Sequence, residues 1–183
     1  DMEDKVRKLE RDVRELIKEV EKIVRDNADE NRRVVEESEK SVRELADRAR
    51  RLIDEIRKGG VPDEIVRRVE KALREVIKRL RDVTDEIRKL AKDSIDRLKK
   101  VVEDIRRELE RAVKLLREVL SANSEDVLRE VKERVEEVLD RVRKKVEKVS
   151  RENKEIVKEV RKKNEDAVRE AEELLKKIRE EVR

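Results

Sequence analysis

Apolar residues recur along this chain at steps of three and four. They run Val6, Leu9, Val13, Leu16, Val20 and Ile23, then resume at Val34, Val42, Leu45, Ala49, Leu52 and Ile56. The last third repeats the pattern through Leu128, Val131, Val135, Val138, Val142, Val146 and Val149, then Val157, Val160, Ala167, Ala171, Leu175, Ile178 and Val182. A mean step of roughly 3.5–3.6 residues is the period of an amphipathic α-helix. A strict 3.5 repeat would wind the helices left-handedly and 3.6 would leave them straight, so nearly straight or weakly left-handed coiling is expected.

Two stretches break the stripe. KGGVPDE (58–64) supplies glycines for a left-handed helix end and Pro62 for a first helical turn. SANSED (121–126) offers Asn123 for the left-handed position and Ser124 as an N-cap, with Glu125 and Asp126 at the positive helix start. The pattern therefore predicts helices over about 3–57, 62–120 and 125–182, joined by loops 58–61 and 121–124. Each helix would be on the order of 85 Å long. Loops this short force neighbouring helices antiparallel. The predicted architecture is all-α: an elongated, up-down-up three-helix bundle forming a single domain over 1–183.

Polar residues interrupt the stripe at Asn27, Asn31, Ser38 and Ser41 in the first helix, at Thr84 and Ser94 in the second, and at Ser150, Asn153 and Asn164 in the third. Folding the chain at its loops puts residues level when their numbers total about 120 (helices one and two) or about 245 (helices two and three). Two polar layers result. One holds Asn27, Asn31, Ser94, Ser150 and Asn153; the other holds Ser38, Ser41, Thr84 and Asn164. They lie about 16 Å apart at the helical rise. A buried amide without partners costs roughly 1–3 kcal/mol, so grouping amides with hydroxyls at one height makes burial tolerable. The expectation is a pair of buried hydrogen-bond layers that set helix register and pairing, as a core Asn does in a coiled coil. The plainer alternative is that some of these residues, Ser41 and Ser150 first, sit at the stripe's edge and face water.

Composition narrows the chemistry. Charged residues make up 57% and apolar residues 35%, with 54 Lys and Arg against 50 Asp and Glu for a net charge of +4. The signs alternate, which suits solvated helix faces laced with i,i+4 pairs rather than a nucleic-acid or membrane footprint. Cys, His, Phe, Trp, Tyr and Gln are absent. That removes disulfides, thiol chemistry, histidine general bases, histidine metal ligands, aromatic stacking platforms for bases and a histidine pH switch. Gly59–Gly60 has no phosphate-loop context. No catalytic residue, cofactor or metal site is expected, and neither a nucleic-acid nor a membrane partner.

The Val/Ile/Leu stripe, the Glu/Lys/Arg surface, the GGVPDE and SANSED loops and the clustered Asn, Ser and Thr residues together resemble de novo designed helical bundles with buried hydrogen-bond networks. The resemblance covers the whole chain and rests on style rather than on one motif. It implies a structural scaffold, a subunit of a designed assembly or part of a switch, soluble in the cytoplasm of an expression host and stable to heat. The lack of Gln, His and Tyr in the layers departs from many such proteins.

Two functional expectations follow. In the first, the chain is a self-contained monomeric scaffold without a natural biochemical function or a required partner. In the second it is an interaction module, a three-helix acceptor for a designed partner helix or one half of a homodimer. An acceptor would carry an extra apolar column on helices one and three. Instead the second helix is the most apolar, with the doublets Ile65–Val66, Val76–Ile77, Val101–Val102, Leu115–Leu116 and Val119–Leu120. That favours the closed monomer.

Overall fold

The computed structural model describes residues 1–182 and contains three α-helices: α1 Met2–Lys58, α2 Asp63–Ala122 and α3 Glu125–Val182. No strand occurs among the described residues. The helices pack on one another as an all-α three-helix bundle, the architecture expected from the stripe.

The helix ends follow local chemistry. α1 closes with Arg57 and Lys58 in its last turn, where cations favour the negative helix end. Gly60 then takes a φ of 70°, a conformation costly for residues with a Cβ. Pro62 precedes α2 rather than beginning it. Its carbonyl accepts from the N–H groups of Ile65 and Val66, so it occupies the cap position, where its missing N–H is not needed. α2 runs on through Ser121 and Ala122, two residues further than predicted, until Asn123 takes a φ of 47°. Ser124 caps α3: its hydroxyl accepts from Val127 N–H at 3.5 Å and its carbonyl from Leu128 N–H at 3.0 Å.

By its contacts the chain divides into two compact units, each drawing a segment from all three helices. One comprises Asp1–Asp29 and Ser94–Lys154, the other Glu30–Asp93 and Glu155–Arg183. The divisions along the chain fall beside Asn27, Asn31, Ser94 and Asn153, where amides and hydroxyls replace the apolar residues that would otherwise continue the stripe. The first unit has a core around Val13, Leu109, Leu116, Val135 and Val142. The second has a larger cluster around Leu52, Leu73, Leu80 and Leu175 and a smaller one of Val34, Ile87, Val157 and Val160.

The core positions obey a longer period than the three-four alternation suggests. In α1 they are Leu9, Val13, Leu16, Val20 and half-buried Val24; then Asn27, Asn31, Val34, Ser38 and half-buried Val42; then Leu45, Ala49, Leu52 and Ile56. Each set lies 18 residues after the one before. α2 repeats it from Val69, Ile87 and Ile105, and α3 from Val135, Asn153 and Ala171. Eighteen residues are five turns of a straight α-helix at about 3.6 residues per turn, so the stripe runs parallel to each helix axis without drift.

The same 18-residue step governs ion pairs between α1 and α2. Glu21 meets Arg106 at 2.7 Å, Glu39 meets Arg88 at 2.8 Å, and Arg57 meets Glu70 at 2.5 Å. Positions 21 with 106, 39 with 88 and 57 with 70 each total 127, above the level value of about 120. Side chains lean toward the N-terminus of their own helix, so in an antiparallel pair long side chains meet beyond the level position. Shorter groups meet closer to it. Asn31 reaches the carbonyl of Ala91, and Ser94 reaches Asn153, at totals of 122 and 247.

Candidate functional site

The residues that set this chain apart from a plain apolar bundle are the polar groups on its stripe. Six are buried: Asn27, Asn31, Ser38, Thr84, Ser94 and Asn153. Ser41, Ser150 and Asn164 are only half-buried. For Asn164 this corrects the expectation of a buried core amide, although the same repeat position is buried at Leu128 and Val146.

In the first unit Ser94 donates its hydroxyl hydrogen to Asn153 Oδ1 at 2.5 Å, joining α2 to α3 inside the core. At 3% and 1% exposure neither group competes with water for this bond. Asn27 lies on the α1 stripe of the same unit, 5% exposed, and its amide nitrogen finds no acceptor. In the second unit Asn31 donates its side-chain amide to the main-chain oxygen of Ala91 at 3.5 Å. Ala91 occupies the repeat position that holds Leu73 and Leu109 elsewhere in α2, and its small side chain leaves the backbone within reach. An alanine between two leucines 18 residues either side was the sequence signal for it, visible once the period is known.

The second expected layer does not form a network. Thr84 donates to the carbonyl of Leu80 at 2.9 Å, four residues back on its own helix, and Ser41 does the same to Glu37 at 3.0 Å. Hydroxyls within helices commonly choose this local acceptor. Ser38 is fully buried and its hydroxyl is unpartnered. Ser150 keeps its half-exposed place at the stripe's edge, the plainer of the two expectations for it. Besides Asn27 and Ser38, one other buried side-chain atom is unpartnered among the described residues, Glu108 Oε2. The other oxygen of that carboxylate has Lys145 at 3.5 Å and Arg141 at 3.8 Å.

No group of three acidic, His or Cys residues that could hold a metal occurs among the described residues, and no described helix is long and apolar enough to cross a membrane. Shallow grooves lie within the second unit. One between α2 and α3, of about 260 Å³, is walled by Val76, Leu80, Val83, Ala167, Ala171 and Leu174. One between α1 and α3, of about 480 Å³, is walled by Leu52, Ile56, Val61 and Val182, with Glu55 and Arg179 at its edge. Neither brings a nucleophile to a base.

The proton affinity of Lys163 is raised above the ordinary lysine range. Its hydrogen bond to Glu86 at 2.5 Å, then the charges of Glu86 and Glu159, raise its pKa above 10.5 against the opposing pull of desolvation. A raised folded-state pKa means that its contribution is fully present below the unfolded value and is lost as pH climbs through the folded one. Lys163→Met is therefore expected to lower the urea denaturation midpoint slightly at pH 8, with the difference shrinking as pH rises through the lysine range. A difference that grows with pH would contradict the pairing. Compared with protein-family models, curated proteins and solved structures, the chain matches none at a significant level.

Proposed function

We propose that the chain is a designed structural scaffold with no reaction of its own, whose buried polar residues set which helix faces pair. The observation that carries this reading is the Ser94–Asn153 bond, a side-chain contact between two helices that only one pairing of α2 with α3 makes. A buried polar pair contributes little net stability, because desolvation offsets most of the bond, but a mispaired partner leaves its groups unsatisfied.

The α1–α2 ion pairs act in the same sense. Their polarity reverses at the third pair, so sliding α1 by one 18-residue repeat would set Arg57 against Arg88 or Glu39 against Glu70. Within one chain the four-residue loop already limits sliding. The polar pattern therefore acts chiefly against helices offered by other chains.

Among the described residues the exposed large apolar side chains are Ile65 and Leu120, both on α2 and singly placed. This supports a monomer, since a monomer needs no contiguous apolar patch. Light scattering across a wide concentration range is expected to return a constant mass near 21.9 kDa. The melt is expected above about 60 °C. A mass that climbs with concentration would overturn the scaffold reading. It would favour the alternative of an acceptor module, for which the groove between α1 and α3 in the second unit is the specific support.

A further inference from the structure

The unpartnered polar atoms of the stripe share one helix. Asn27 Nδ2 and Ser38 Oγ both belong to α1, while the buried hydroxyls of α2, Thr84 and Ser94, both have acceptors. α1 is also the helix most interrupted, with Asn27, Asn31 and Ser38 occupying three of five core positions in its middle repeat. To the small cluster completed by Ile87, Val157 and Val160 it contributes buried Val34, with half-buried Val35 packed against it. Its connection to α2 spans 59–62 and begins with two glycines, of which Gly60 has open space where a Cβ would lie. α2 and α3, by contrast, are joined through Asn123 and the Ser124 cap and hold the Ser94–Asn153 bond between them.

We propose that α1 is the exchangeable helix of this protein, and that the face of α2 and α3 it covers accepts, in trans, an amphipathic helix carrying the same 18-residue pattern without the polar interruptions. The fitting partner is an α1-like helix with apolar residues at positions 27 and 38. The repeat itself indicates the side chains that suit such a surface: Leu9 and Leu45 occupy the position of Asn27, and Val20 and Ile56 that of Ser38. Each unpartnered buried group relieved favours the incoming helix over α1 by about 5- to 150-fold. Against this stands the intramolecular advantage of α1, whose effective concentration at its own face is on the order of millimolar. At about 30-fold per site, the middle of that range, two relieved sites together offset this advantage for a partner at micromolar concentration. The surrounding apolar contacts set the rate of opening, so exchange requires annealing through partial unfolding.

The test uses the full-length chain and a fluorescent peptide of residues 1–58 bearing Asn27→Leu and Ser38→Ala, annealed by heating and slow cooling. The expected result is a one-to-one complex by light scattering, held at least about 25-fold more tightly than the same peptide with the unaltered sequence. A full-length chain carrying both substitutions itself is expected to refuse the altered peptide. Absence of binding overturns the proposal, as do equal binding of the two peptides, a peptide that associates only with itself, and equal uptake by the substituted chain.

Discussion

Leu109→Ala is expected to lower stability by roughly 2–5 kcal/mol, toward the upper end of that range. Leu109 is fully buried in the first unit, among Val13, Leu116, Val135 and Val142. The cost has two parts, the lost transfer of the side chain from water and the cavity left behind. The second depends on whether the surroundings can collapse, and within the first unit Leu109 is packed by residues of all three helices. Leu73 occupies the same repeat position and is equally buried. Position 91 shows what an alanine requires there: Asn31 comes in to meet the backbone, and no such group faces Leu109. Guanidinium denaturation followed by circular dichroism reads the change, with Leu120→Ala as the exposed comparison, expected within about 0.5 kcal/mol of the parent. Equal effects at Leu109 and Leu120 would contradict the core assignment.

Asn27→Leu combined with Ser38→Ala is expected to raise stability, by about 1–3 kcal/mol for each site. Each change removes a buried group that lost its water on folding and recovered no partner. Leucine has the branching of asparagine but a larger volume, which the same repeat position already accommodates at Leu9 and Leu45, and alanine adds nothing to serine. The sites are 11 residues apart on one helix, about 16 Å, and share no bonding partner, so their effects should add. Differential scanning calorimetry and denaturant titration measure the sum. A loss of stability would mean that these groups are satisfied in solution, and would remove the basis for α1 exchange at the same time. Asn31→Ala is the contrast: its amide has an acceptor, so its removal is not expected to stabilise.

Much of this fold is legible in the residue order, because a helix records its environment in its own period. The stripe located α1, α2 and α3 with ends correct to within two residues, and the glycines, Asn123 and Ser124 marked the turns by their backbone preferences. Loop lengths and the helical rise set which heights meet, and they put Ser94 level with Ser150 and Asn153, of which Asn153 is its partner. The 18-residue period was also present in the residue order, although three-four counting hides it. It emerges once burial shows which of two adjacent apolar residues faces inward.

The fate of each polar side chain was decided by tertiary structure. Periodicity assigns a residue to a face, yet neighbouring residues differ by about 100° around the axis, too coarse to separate buried Asn153 from half-buried Asn164. Whether a hydroxyl bonds across to another helix or back to its own carbonyl depends on what stands opposite. Ser94 found Asn153, whereas Thr84 turned to Leu80. Asn31 found a main-chain oxygen, which every residue carries and no sequence pattern distinguishes. The sequence by itself determined the helices, their turns and the heights at which they meet, because these depend on backbone preference and spacing along one chain. Which polar atoms are satisfied was determined only by the packed structure, because that depends on directions and distances between side chains of different helices.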